Sequence, residues 1–207
     1  MALIKSISGI RGTIGGHPNE NLTPLDIVRF TAAYGTMLAG DNKTPKVVIG
    51  RDGRISGSMV SQLVVQTLVG LGIDVIDLGL STTPTVEMAV TWENADGGII
   101  ITASHNPKEW NALKLLNNKG EFISAEAGAQ VLDLASREAF QFSPVDKLGN
   151  YQLNESYLDK HIDAVLQYPL VNVPAIKAKK FRVVVDAINS SGAFAVPRLL
   201  KDRKSVV

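Results

Sequence analysis

Apolar runs of strand length alternate along this chain with longer helical segments, and that alternation restricts the fold more than any other feature. Residues 46–49, 74–78 and 98–101 are short and rich in Val, Ile and Leu. Such runs suit strands covered on both faces. Between them, residues 59–71 form an apolar helical stretch closed by Gly72. Thr82-Thr83-Pro84-Thr85 then opens a helix to about Trp92, its hydroxyls acting as caps and its proline in the first turn. Strands alternating with helices imply an α/β fold, with a mixed, mostly parallel sheet sandwiched between helices.

The remaining segments extend this pattern. Residues 3–7 read as a first strand, followed by a glycine-punctuated loop, Ser8-Gly9-Ile10-Arg11-Gly12-Thr13. Thr23, Pro24 and Asp26 make a helix start, with Leu25, Val28, Ala32 and Leu38 as its apolar face and Gly40-Asp41-Asn42 as its stop. Residues 112–116 are a short strand that carries Lys114, and residues 125–140 a helix. Residues 141–153, with Ser143-Pro144 and Gly149-Asn150, read as a linker. A helix over 155–166 follows, with Tyr157, Leu158, Ile162, Val165 and Leu166 on one face. Residues 182–185 read as a buried strand ending at Asp186. Two units are expected: residues 1–150, and residues 151–207 as the start of a second, similar one.

Composition narrows the function classes. With 45% hydrophobic and 20% charged residues, the 207-residue chain is an ordinary globular sequence. A net charge of +1 leaves no electrostatic footprint for nucleic acid or an anionic membrane. The absence of cysteine excludes disulfides and thiolate metal sites. The apolar start is too short for a signal peptide and no run is long enough to span a membrane, so a cytoplasmic location is expected.

The chemistry concentrates behind the 98–101 run, in Thr102-Ala103-Ser104-His105-Asn106-Pro107. Open α/β sheets place ligands at the C-terminal ends of their strands. A Ser104–His105 hydrolase dyad is disfavoured. Neighbours in extended backbone point to opposite faces, and no Gly-x-Ser-x-Gly elbow surrounds the serine. A serine that carries a phosphoryl group, with His105 and Lys114 as cationic or proton-moving partners, is the alternative. Taken alone, Ser-His-Asn-Pro also reads as an ordinary turn. Gly50-Arg51-Asp52-Gly53-Arg54 lacks the ending of a Walker loop. Its arginines suit either phosphate contact or local bracing by Asp52. Gly70-x-Gly72 precedes a strand and lacks a third glycine, which rules out a dinucleotide fingerprint.

With Asn111 and Lys114 behind it, the 102–107 stretch resembles the active-serine loop of the α-D-phosphohexomutases, the phosphoglucomutases, phosphomannomutases and phosphoglucosamine mutases. Ser8-Gly9-Ile10-Arg11-Gly12, Gly50-Arg51-Asp52-Gly53-Arg54 and Val183-Val184-Val185-Asp186-Ala187 match in the same order, so the resemblance reaches to about Leu200. It implies interconversion of hexose 6-phosphate and hexose 1-phosphate through a phosphoserine at Ser104 and a bisphosphorylated sugar. It makes Ser104, His105, Lys114 and Arg11 the catalytic residues: Lys114 as acid or base, His105 for proton transfer and phosphate stabilisation, Arg11 beside the phosphoserine. It implies Mg²⁺ bound through the serine phosphate, and a hexose 1,6-bisphosphate activator. The implied partner is a phosphorylated hexose, with no nucleic acid or membrane, and a homodimer is left open.

Three departures qualify the match. The family commonly has glycine where this chain has Ala112, and Asn189-Ser190-Ser191-Gly192 has serine for the first glycine of an Asn-Gly-x-Gly turn. The family's Asp-Gly-Asp-Gly-Asp-Arg metal loop does not occur. The chain is therefore expected to be an N-terminal portion, inactive by itself. From another class, a non-catalytic phosphosugar- or anion-binding module would keep the same fold and cations without turnover.

Overall fold

The computed structural model describes residues 3–6, 9–40 and 44–201. In order, the chain forms β1 (Ile4–Ser6), β2 (Gly9–Thr13), α1 (Pro24–Ala39), β3 (Lys46–Arg51), α2 (Gly57–Gly70), β4 (Asp74–Leu80) and α3 (Thr83–Trp92). There follow β5 (Gly97–Ile101), β6 (Trp110–Leu116), α4 (Ala125–Arg137), β7 (Tyr151–Leu153), α5 (Tyr157–Gln167), α6 (Val173–Lys179) and α7 (Gly192–Lys201). The strands make one mixed sheet in the order β1-β2-β6-β5-β3-β4-β7. β5, β3, β4 and β7 run parallel, while β1, β2 and β6 add an antiparallel flank.

The continuous apolar runs are explained by burial on both sides. On one face Val47 and Ile49 of β3 and Ile99 and Ile101 of β5 pack with Ile27, Phe30 and Tyr34 of α1, Val64 and Leu68 of α2, and Val131 of α4. On the other, Val48 and Ile100 pack with Val86 and Val90 of α3 and Tyr157 of α5. Successive residues point to opposite layers, so every position in the run must be apolar. Each fully buried Val, Ile or Leu contributes about 1.5–3 kcal/mol. Tyr34 ties the layers to the strands: its buried hydroxyl reaches the Leu116 carbonyl at 2.6 Å and that of Gly98 at 3.2 Å. A side chain at Gly97 would strike that hydroxyl, so the strand must begin with glycine.

α1 starts as expected. Thr23 caps it in a capping box with Asp26, and Pro24 occupies the first turn. Its buried face keeps the expected Ala32, which is fully buried, and Leu38, which packs against the core, but not Leu25. Leu25 is 62% exposed, and the stripe runs through Ile27, Phe30, Ala33 and Tyr34. The capping box turns Asp26 inward, which rotates Leu25 out to solvent.

Other local expectations are corrected by tertiary pairing. Gly9–Thr13, read as a loop, is strand β2, because its backbone finds partners in both β1 and β6. Ser8 lies outside the described residues, as do Ile7, Asp41 and Asn42. Residues 141–153 are not a free linker. A short 3-10 turn at Val145–Lys147 leads into β7, which pairs with β4 as the sheet's edge. Residues 182–185 join no strand of this sheet, and Val184 is 97% exposed. A strand needs a neighbour for its amides, and here Arg182 alone forms an isolated bridge while residues 183–185 pair with none of the described strands. α6 and α7 contain no buried residue. No helix among the described residues is long and apolar enough to cross a membrane.

α5 packs beside α3 and buries Tyr157, Leu158 and Ile162. The Tyr157 ring stacks on Trp92 with centroids 6.2 Å apart. Its hydroxyl, pushed up to about 12 by burial and by Glu93, donates to that carboxylate. One turn on, His161 Nδ1 shares a 2.8 Å hydrogen bond with Thr85 Oγ1. Burial holds this imidazole below its ordinary value of 6.5. The stability it supports is complete above that value and is lost as pH falls below it, when the unfolded ring protonates first. Thermal midpoints measured between pH 7.5 and 5 should therefore fall more for the wild type than for His161→Gln, whose side chain does not titrate. Superimposable profiles would show that the ring is not linked to folding.

Candidate active site

Parallel pairing of β3 with β5 sets Arg51 opposite Ile101, and the Asp52 amide donates to the Ile101 carbonyl at 3.1 Å. The segments leaving the two strands, 52–56 and 102–109, therefore emerge side by side at one end of the sheet. The first enters α2, whose N-cap Ser56 spends its hydroxyl on Asn111 Nδ2 at 2.9 Å rather than on the helix. Asn111 is fully buried, and its Oδ1 accepts from the Ala112 amide. An asparagine there satisfies a neighbouring loop and a strand together.

Ser104 sits in a tight turn closed by the Asn106 amide on the Ala103 carbonyl at 3.1 Å. It is the first central residue and has φ 55, a left-handed conformation usually left to glycine. Such strain costs about 1–3 kcal/mol and persists only where neighbours over-determine it. The Ser104 amide is held by Thr102 Oγ1 at 3.0 Å, and that hydroxyl donates to Asp52 Oδ2 at 2.6 Å. Arg54 also pairs with Asp52, Nε to Oδ2 at 3.2 Å, and its other nitrogens reach backbone carbonyls of the serine loop. Between phosphate contact and bracing, Arg54 takes the bracing role. Arg51 donates to the Asp52 carbonyl at 3.3 Å.

The turn leaves Ser104 and His105 exposed on the rim of a cleft of about 260 Å³. Arg11 and Lys114 line the same cleft, with Gly9, Ala112 and Phe122. Arg11 stands opposite Ala112 in the β2–β6 pairing, and Lys114 is two residues further along β6. Both side chains therefore rise from one face of the sheet. All four residues singled out in the sequence thus meet at one opening. Lys114 Nζ lies 5.7 Å from the centre of the Phe122 ring. Glu87 of α3 is pushed up by burial, with Lys114 acting in the opposite direction. Ser104 and His105 form no hydrogen bond with each other among the described residues, so no hydrolase dyad is assembled.

Ala112 lies inside β6, not in a turn, and is not among the positive-φ residues, so alanine is accommodated there without strain. The glycine that this pairing requires is Gly9 of β2, at φ 119. A side chain on Gly9 would run into the Leu113 carbonyl.

A second cleft, of about 280 Å³, flanks the other side of Ser104 and His105 and is closed by Ile188, Asn189 and Ser190. Ser190 Oγ accepts from the Gly53 amide at 3.1 Å, and Ile188 and Asn189 both have positive φ. Among the described residues Asp52 is the one acidic group lining either cleft, and it is engaged by Arg54 and Thr102. No group of three or more His, Cys, Asp or Glu suited to a metal occurs among them either. Mg²⁺ prefers six oxygen ligands. The residues present do not make such a site by themselves, beyond the oxygen that Ser104 would offer.

Thr102 and Asp52 were not singled out as site residues from the sequence. A threonine two residues before a turn amide is a known local acceptor pattern. Its donation to a carboxylate 50 residues earlier has no local signal.

Known proteins resemble this chain in sequence and in fold. The model of the family described as phosphoglucomutase/phosphomannomutase, alpha/beta/alpha domain I, matches residues 3–142. A phosphoglucomutase/phosphomannomutase of Thermococcus kodakarensis is 38% identical over 92% of this chain and 42% of the relative. A phosphoglucosamine/phosphogalactosamine mutase of Sulfurisphaera tokodaii is 31% identical over 95% of the chain and 42% of the relative. The chain thus spans about two fifths of the length of these curated relatives. In fold it resembles a family protein from Burkholderia thailandensis, with TM-score 0.71 and 21% identity over 98% of this chain and 43% of that one. The open form of pp63/parafusin, a phosphoglucomutase from Paramecium, gives TM-score 0.74 at 17% identity, over 98% and 42% of the two chains.

Gly9 lies within the matched span and carries the close approach of β2 to β6. Gly9→Ala should destabilise the protein by about 1–3 kcal/mol, from the left-handed backbone and the Leu113 contact together. A lower urea midpoint at unchanged slope would show it. An unchanged midpoint would mean that β2 can shift away without loss.

Proposed function

Because the chain belongs to the phosphoglucomutase/phosphomannomutase family, we propose that it carries the phosphoserine part of a phosphohexomutase, with Ser104 as the phosphoryl carrier. One observation carries the reading. Ser104 is presented by a strained turn at the mouth of a cleft into which Arg11 and Lys114 rise from one sheet face. An exposed serine that shares a cleft with two cations suits a group that must hold a phosphate and then give it up.

In the proposed reaction a sugar hydroxyl attacks the phosphorus on Ser104. The bond from phosphorus to the serine oxygen breaks, and that oxygen regains a proton. The bisphosphorylated hexose then returns its other phosphate to Ser104. Phosphoryl transfer depends chiefly on positioning and on neutralising charge. Arg11 offers a planar fork to phosphate oxygens. Lys114, beside the Phe122 ring and near Glu87, moves a proton at the transferring group in this reading, and His105 sits beside Ser104 on the rim. Mg²⁺, where bound, would neutralise charge on the transferring group. Its further ligands are not found among the described residues. Turnover is therefore proposed for a full-length enzyme of this family rather than for these 207 residues by themselves. The substrate is proposed to be a phosphorylated hexose, with a hexose 1,6-bisphosphate as activator. The relatives are named for glucose, mannose, glucosamine and galactosamine phosphates.

Mass spectrometry of protein from cells, or of an extended protein incubated with a hexose 1,6-bisphosphate, should place phosphate on Ser104. Phosphate consistently on another serine would overturn the assignment. An unmodified Ser104 in a chain that still binds sulfate at this cleft would favour an anion-binding module.

In a complete enzyme, Lys114→Met should lower kcat about 10²–10⁴-fold with little change in KM, the usual contribution of a general acid or base. Near-normal turnover would reduce Lys114 to a partly exposed strand lysine.

A further inference from the structure

Arg54 is the most fully committed side chain near the site. A guanidinium has five N–H donors, and here every one is engaged. Nε donates to Asp52 Oδ2 at 3.2 Å. One terminal nitrogen reaches the carbonyls of Pro107 at 2.8 Å and Trp110 at 3.0 Å. The other reaches those of Ser104 at 2.7 Å and Asn106 at 2.8 Å. No donor remains for a substrate phosphate. The four carbonyls bracket the serine turn from its first central residue to the start of β6.

The turn has little else to hold it. Its local bonds are the Asn106 amide on Ala103 and the Ser104 amide on Thr102 Oγ1. The second of these depends on Asp52, which fixes the threonine hydroxyl. Asp52 is itself oriented twice by Arg54, through Nε and through the Arg54 amide at 3.1 Å. Both routes to Ser104, through its carbonyl and through its amide, therefore lead back to one ion pair. That pair is largely shielded, its side chains 10% and 15% exposed.

We propose that Arg54, with Asp52 behind it, is the positioning residue of the phosphoryl carrier: it holds Ser104 in its left-handed conformation, so that the hydroxyl faces Arg11 and Lys114. This rests on the reading of Ser104 as the carrier. Charge alone does not suffice for the task, because four carbonyls spread over seven residues need a planar fork. A lysine, with a single nitrogen, reaches only part of them.

Amide hydrogen exchange on the unphosphorylated 207-residue chain tests this, with Arg54→Lys as the variant. The amides of Ser104, Asn106 and Trp110 should exchange at least about tenfold faster, the loss expected for one charge-assisted bond. Those of Val48, Ile49, Ile100 and Ile101 should be unchanged. The three-bond amide–Hα coupling of Ser104, which reads φ directly, should move away from its left-handed value. Thr102→Val should reproduce the effect at the Ser104 amide, and Thr102→Ser should restore it. If Arg54→Lys does not fold, Asp52→Asn removes the charge of the same pair and carries the same expectation. Unchanged exchange and coupling at Ser104 would overturn the proposal. So would equal acceleration in β3 and β5, which would make Arg54 a general stabiliser. The carrier reading is tested separately: a wild-type chain that never takes phosphate sinks that reading while these exchange data still decide whether the clamp exists.

Discussion

The parallel register of β3 against β5 is the constraint on which the candidate site depends. With Arg51 opposite Ile101, the next residues of both strands leave the sheet together, and Asp52 meets Thr102 although 50 residues separate them. A one-residue slip would exchange the two faces of β3 and send Val47 and Ile49 into the wrong layer. The apolar packing on both sides therefore enforces the polar arrangement at the strand ends. Core and site share one register.

The strain at Ser104 is affordable in that setting. A left-handed serine costs about 1–3 kcal/mol. Hydrogen bonds involving a charged group return about 1.5–3 kcal/mol each, and four run from Arg54 to carbonyls of the 104–110 stretch. The balance favours the strained turn, and it does so without using the serine hydroxyl. The hydroxyl stays available because backbone groups do the holding.

The two flanks of the sheet play different parts. The parallel half supplies a rigid support with helices on both faces. The antiparallel flank of β1, β2 and β6 supplies the cations, since strands paired there can raise Arg11 and Lys114 from one face beside the serine loop. β7 closes the opposite edge, and the turn at 188–190 reaches back to Gly53. Exposed apolar side chains gather in the later segments, at Phe181, Val184, Ile188 and Phe194.

From the sequence alone, the strands at 46–49, 74–78 and 98–101 could be read because burial on both faces demands unbroken apolar runs. The α1 cap could be read because Thr23, Pro24 and Asp26 act within one turn. Ser104, His105, Lys114 and Arg11 stood out by residue type and motif, and the structure brings them to one cleft. What the sequence did not carry is everything set by distant partners. Gly9–Thr13 looks like a loop until β1 and β6 pair with it. Residues 151–153 look like a linker until β4 offers an edge. Residues 182–185 look like a strand but have no neighbour among the described strands. Whether Arg54 binds phosphate or braces the loop cannot be decided from Asp52 beside it, since a guanidinium serves whichever acceptors surround it. Local chemistry determined which residues were suited to phosphate; only strand pairing decided which of them face the cleft, through β2 on β6, and which hold the serine in place, through β3 on β5.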